Sequence, residues 1–253
     1  GGGNLVKQEK KSTNFKSEGS GMVYVGFNNK NEKAVKITCT RSEETKDNKI
    51  VMDQIVARFF PKSRMKGEVV ISGDKGIVEN NLINFEIDGN CRIKSKDFLI
   101  KSSYFKLKDR FFMESNRQVS YQTQNIEGIS ERMVVNMETN ILDFFTASGI
   151  YKVNKKIVHY ISDFLQVQDK KQLMTLRNQG KKNQIKGEDF FLKGDLILTQ
   201  FGENYKTQIH TFTHNRCHFY MEKKIDDGSD ALKRREIRAN ILELYYTDGG
   251  DID

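Results

Sequence analysis

The sequence predicts an all-β protein, and three observations carry that expectation. Apolar and polar residues alternate with a period of two in several stretches. Gly and Asx clusters interrupt the apolar runs at short intervals. The segment around His210–Met221 is rich in Thr, Phe and Tyr, which suit a pleated, half-buried surface. Successive strand side chains face opposite sides, so such strands carry one apolar and one polar face. A sandwich, jellyroll or barrel meets that requirement.

The elements follow in order. Residues 1–20 are mostly Gly, Lys, Ser, Asn and Glu and read as a disordered lead. The start, Gly-Gly-Gly-Asn, reads as a trimmed or engineered terminus, which leaves room for a membrane tether ahead of it. Met22–Phe27 is strand-like and stops at Asn28-Asn29. Ala34–Thr40 is a second short strand, and Arg41–Asn48 reads as a charged turn. Ile50–Phe60 fits strand or short helix. Ile83, Phe85 and Ile87 then alternate with Asn84 and Glu86, and Cys91 and Ile93 with Arg92 and Lys94. Met133, Val135 and Met137 alternate with Val134, Asn136 and Glu138. Ile209, Cys217, Phe219 and Met221 share one parity. Turns are expected at 72–74, 88–90, 127–128, 148–149, 194–195 and 226–228. Lys155–Arg177 is the one place for a helix, because Ile157, Tyr160, Ile161, Phe164 and Leu165 have helical spacing. Lys66-Gly67-Glu68 and Lys186-Gly187-Glu188 hint at a repeated β unit.

Composition narrows the function. The chain has 253 residues, 37% hydrophobic and 30% charged, enough to bury a core. No apolar run approaches the ~20 residues that span a bilayer as a helix. The net charge is +8, spread along the chain, which suits a solvated surface or an anionic partner. Three cysteines without CxxC spacing argue against a disulfide framework and against a zinc site. No nucleophile elbow, HExxH, P-loop or dinucleotide fingerprint is present, so neither an enzyme nor a cofactor is expected. His210, His214 and His218 would line one face of a helix. On a strand, four residues span ~13 Å, too far to share one metal ion. The Phe residues fall mainly at apolar strand positions, as in a core, so nucleic acid is not expected as a partner.

The segment Asp88–Tyr151 adds a resemblance. Gly89-Asn90-Cys91 opens a strand, and Ser103-Tyr104-Phe105-Lys106-Leu107 follows. Glu114–Val119 comes next without a proline, then Glu127-Gly128-Ile129-Ser130, and a strand ends near Gly149. The order of these steps is similar to the periplasmic β-jellyroll of the lipopolysaccharide-transport family, with its LptC, LptA and OstA-like domains. The resemblance implies an OstA-like jellyroll over 21–153 and a second such unit over 154–253, the two forming one elongated sheet pair. It implies a periplasmic protein that holds lipopolysaccharide acyl chains in an open β-lined groove and passes them toward the outer membrane. Its partners would be an inner-membrane ABC transporter complex and further jellyrolls, joined through sheet edges. The expected lipid-binding residues are Ile83, Phe85, Ile87, Cys91, Ile93, Met133, Val135 and Met137. Acyl chains gain ~0.8 kcal/mol per buried CH2 in such a groove, while lysines outside meet head-group phosphates. The alternative is a β-sandwich binding, adhesion or scaffold module without lipid cargo.

Overall fold

A computed structural model describes residues 23–252 except 28–32, 48, 61–66, 80–84, 110, 154, 169–170, 178–182, 202–206, 226–227 and 247–248. The fold is all-β and jellyroll-like, and no α-helix occurs among the described residues. The expected lead, residues 1–20, lies outside them. The chain forms two compact units, Gly1–Tyr121 with Val134–Asn140, and Gln122–Met133 with Ile141–Asp253.

The first unit is an antiparallel meander. Its strands are β1 (Val23–Phe27), β2 (Lys33–Thr38), β3 (Arg41–Glu44), β4 (Lys49–Phe59), β5 (Val69–Glu79), β6 (Phe85–Lys94), β7 (Phe98–Asp109) and β8 (Phe112–Ser115). β4, β5, β6, β7 and β8 each pair with the next. β4 also takes β2 and β3 along its other edge. The chain then runs on through β9 (Val119–Thr123) and β10 (Ile126–Asn136). Period-two patterning places the core. Ile71, Ile93 and Ile100 are direct cross-strand partners and are fully buried. The outer neighbours Arg92, Lys94, Lys101 and Lys106 are exposed.

A line of bulges crosses this meander. Register shifts fall between Ser72 and Lys75 on β5 and between Asp88 and Cys91 on β6. Gln54, on β4 at the same level, has φ 51. Each bulge inserts residues that lack a ladder partner, which bends and twists its strand. Gly89 (φ 79) and Asn90 (φ 48) supply the left-handed backbone this needs. Asn90 Nδ2 donates to Asp74 Oδ2 at 2.7 Å, tying one bulge to the next.

The second unit holds β11 (Ile141–Val153), β12 (Lys156–Gln168), β13 (Leu173–Arg177), β14 (Asn183–Lys186), β15 (Phe190–Gly194), β16 (Leu196–Phe201), β17 (Thr207–Lys224) and β18 (Leu232–Tyr245). β11 and β12 pair over their whole length. Between β12 and β17 the sheet forks into two short ladders. One runs through β14 and β15, the other through β13 and β16. Buried Asn183 reaches the backbone of both branches at the fork: its Nδ2 donates to the carbonyls of Leu176 (3.2 Å) and Asp195 (2.7 Å). Its Oδ1 accepts from Ser162 Oγ at 2.6 Å. Beyond the fork, β17 pairs with β18 across a second large bulge between Phe212 and Cys217.

Three expectations need correction. The segment 155–177 is strand, not helix, because β12 carries apolar residues on both faces. Tyr160 and Leu165 point inward while Ile157 (50% exposed) and Ile161 (59%) point outward, and the sum imitates a helical period. Arg41–Glu44 is a strand rather than a turn, held by pairing of Ser42 with Met52. The clusters at 72–74, 88–90, 127–128 and 148–149 lie inside β5, β6, β10 and β11 rather than between strands. Small residues serve close approach there. A Cβ on Gly149 would lie 2.1 Å from the Glu127 carbonyl oxygen, and one on Gly73 2.2 Å from Ile87. Gly194-Asp195 does separate two strands, β15 and β16. Ile50–Phe60 resolves as strand, in β4.

Candidate functional site

The inner face of the first unit gathers most of the expected lipid-binding residues. Phe85, Ile87, Cys91 and Ile93 lie along β6, with exposures of 0–2%. Their cross-strand partners are equally apolar: Val78 faces Phe85, Phe105 faces Ile87, and Ile100 faces Ile93. Phe59 stacks on Phe85 with ring centroids 5.8 Å apart. Val135 and Met137 are buried in the same unit, and Met133 is buried in the second. Ile83 falls outside the described residues.

Near Phe85 a cavity of ≈ 380 Å³ opens to solvent on the opposite, outer face. Cross-strand pairing puts exposed Ile77 in one row there with Glu86, Lys106 and Glu114, and Lys49, Glu79 and Lys108 lie beside it. Phe85 and Leu107, from the buried face, also line the cavity. Lys106 pairs with Glu86 at 3.5 Å and Lys108 with Glu114 at 3.6 Å. These pairs are exposed, so they contribute little stability and open cheaply. The volume lies in the range of small-molecule sites, roughly 300–1,000 Å³. Phe85, Ile87, Cys91 and Ile93 are all nearly fully buried, so an acyl chain advancing past Phe85 has to part the packed faces. Sequence reasoning missed the charged rim. Its signal was the strand-end step Lys106-Leu107-Lys108, a buried apolar residue between two exposed cations.

The other candidate groups are chemically quiet. Cys39, Cys91 and Cys217 are buried, and no disulfide joins them. Burial, then the charges of Asp88 and Asp74, push the Cys91 thiol up to about 12, so it is neither nucleophile nor ligand at neutral pH. His210, His214 and His218 all fall on β17, and the side chains of the first two lie outside the described residues. His218 Nε2 contacts Glu236 Oε1 at 2.8 Å. Among the described residues no group of three or more His, Cys, Asp or Glu could hold a metal ion.

Two features of the second unit escaped the sequence altogether. The hydroxyls of Tyr151 and Tyr246 meet at 3.2 Å inside an aromatic cluster that includes Phe201 and Phe190. Burial pushes both phenols well above their ordinary range. Lys156 Nζ donates to Asp251 Oδ1 at 2.6 Å, with Glu188, Asp189 and Lys223 nearby. Both join residues about 95 apart in sequence, which no local pattern encodes. Compared with protein-family models and with curated proteins, the chain matches none.

Proposed function

We propose that the protein is a lipid conduit of the LptC, LptA and OstA-like kind, without enzymatic activity, whose first unit takes acyl chains of an anionic lipid between its strands. The observation that carries this reading is that Phe85 belongs both to the lining of the solvent-open cavity and to the buried row Phe85, Ile87, Cys91, Ile93. The rim balances three lysines against three glutamates, and opening the exposed Lys106–Glu86 and Lys108–Glu114 pairs frees cations for a phosphorylated head group, while the buried row suits hydrocarbon. Each methylene that moves from water to that row contributes ~0.8 kcal/mol toward parting the faces. Lipopolysaccharide is the proposed cargo and the periplasm the proposed site. An inner-membrane ABC transporter complex and further jellyrolls, joined edge to edge, are the proposed partners.

A second reading has its own observation. Phe85, Ile87, Cys91 and Ile93 are so nearly fully buried that they also make a finished core, as in a binding or scaffold module without cargo. Photo-crosslinking separates the two. A photoreactive residue is placed singly at Phe85, Ile93, Val135 or Met137, and at Arg92, Lys94 or Asn136 on the opposite faces. Lipopolysaccharide is then added. Labelling at the first set alone supports the conduit. Labelling on both faces, or none, removes it and leaves the module.

A further inference from the structure

The outer face of the second unit carries a pattern that neither a closed core nor a lipid groove requires. Direct cross-strand partners share a face, so the register traces rows across the sheet. One row runs Ile150, His159, Lys186, Phe191, Tyr220, Glu236 across β11, β12, β14, β15, β17 and β18. Beside it Ile161, Lys193 and Arg238 belong to a parallel row, with Gln184 and His218 between them. On the other side Lys152 faces Ile157. With strands ~4.8 Å apart, six strands make a face about 24 Å wide.

Two properties of this face point to an occupant. Ile157 and Ile161 are 50% and 59% exposed, on a strand whose inner face is fully packed. An outward β-branched pair of this exposure has no role in the core. The charge around them is mixed, but its acids are engaged. Lys152, Lys186, Lys193, Arg234 and Arg238 lie on the face with Glu222 and Glu236, and at the Ile157 end Glu188, Asp189 and Asp251 pair with Lys156, Asp251 with Lys223 as well. Glu236 is already engaged by His218 and Arg238, and Glu222 by Arg234. Among the described residues no carboxylate forms an ion pair with Lys152, Lys186 or Lys193, and Lys193 Nζ sits over the Phe191 ring at 5.1 Å. Exposed aliphatic tips set among unneutralised cations match the surface of an anionic bilayer. Head groups there take the lysines, and the acyl boundary takes the isoleucines.

We propose that this outer face of the second unit, centred on Ile157, Ile161, Lys186 and Lys193, docks the protein on an anionic membrane surface. The contact is peripheral and reversible, and it does not rest on the conduit reading, which concerns the inner face of the first unit. The pattern also explains the false helical period of 157–165: the outward isoleucines that mislead the sequence reading are the ones placed to touch the membrane.

The test uses the full chain and vesicles of phosphatidylcholine with or without phosphatidylglycerol. Co-sedimentation is expected with the anionic vesicles only, weakening as salt rises from ~0.1 to ~0.5 M. K186Q/K193Q should weaken binding about thirty-fold, at roughly five-fold per lysine. I157T/I161T should weaken it roughly ten-fold. K94Q/K101Q removes the same charge from the first unit and should change it less than about three-fold. The chain has no tryptophan, so I161W gives a single reporter. Its emission should shift blue on anionic vesicles, while K101W should not move, and this readout holds even if a double variant misfolds. The proposal fails if the native chain ignores anionic vesicles, or if K94Q/K101Q weakens binding as much as K186Q/K193Q. It also fails if I157T/I161T dissolves a dimer in solution without affecting vesicle binding, because a second copy would then cover the face.

Discussion

Asn183 offers the sharpest test of how the second unit holds together. It is fully buried where the sheet forks, and its amide makes three hydrogen bonds, to Ser162 Oγ, Leu176 O and Asp195 O. Asn183→Ala removes all three and leaves no side chain to replace them. At ~1 kcal/mol net per bond, the loss is about 3 kcal/mol. Ser162→Ala should cost less, about 1 kcal/mol, because Ser162 donates a single proton, for which the carbonyls of Phe164 and Arg177 compete with Asn183. The double variant should fall short of the sum by about 1 kcal/mol, the energy of the shared bond. Urea unfolding followed by far-UV circular dichroism measures each value. In thermal melts the Asn183→Ala shift should be about 6–12 °C downward, at ~2–4 °C per kcal/mol for a chain of this length. A loss below ~1 kcal/mol for Asn183→Ala, or strict additivity with Ser162→Ala, would refute the view that this amide closes the fork.

Three further outcomes are expected. Gly149→Ala should cost about 2–3 kcal/mol, because its Cβ would press on the backbone at Glu127 and Gly128, which cannot rotate away. Gly67→Ala meets open space and should cost only about 1 kcal/mol for its positive φ; equal losses in urea titrations would contradict this. Asp251→Asn should lower stability by no more than about 0.5–1 kcal/mol at pH 7, since the Lys156 pair is about one-third exposed. The hydrogen bond from Lys156 holds the Asp251 carboxyl below its ordinary range. Its contribution is therefore present above the unfolded value near ~3.9 and is lost as pH falls through the lowered folded value. Unfolding of Asp251→Asn and native chains should converge in that acid range, and a difference that grows there would count against the pair. The thiols should resist iodoacetamide at pH 8 in the folded chain and react in urea. Rapid alkylation of Cys91 without denaturant would contradict its burial and raised pKa.

Much of the fold was legible because strand patterning is local. The alternation at 85–93 and 133–137 places the same residues inward that the structure buries, since a period of two needs no knowledge of distant partners. The errors share one cause. Gly and Asx report a need for positive φ or close approach, and a mid-strand bulge needs these as much as a turn does. Asp88-Gly89-Asn90 and Ser72-Gly73-Asp74 were therefore readable as special backbone but not as bulges. The strand β12 misled differently, because apolar residues on both faces erase the period. At the candidate site the buried row was visible and the charged rim was not. Lys49, Glu79, Lys106 and Glu114 come from four strands and become neighbours only through register. Lys156 and Asp251, or Tyr151 and Tyr246, are further cases of the same blindness.

The meander also bears on how the chain reaches this state. In the first unit β4 through β8 each pair with the strand just before, and among the described residues of the second unit strand pairing spans at most β13 to β16. Most loop closures are short, and closing short loops forfeits little chain entropy. Pairing between strands that are neighbours in the chain favours faster folding than pairing between distant ones. A nascent chain can add each strand to an edge already formed, in the order the ribosome delivers them. Until the next strand arrives, that edge is open to any other extended segment, so delay during synthesis rather than weakness of the finished sheet is where this protein is most exposed to aggregation.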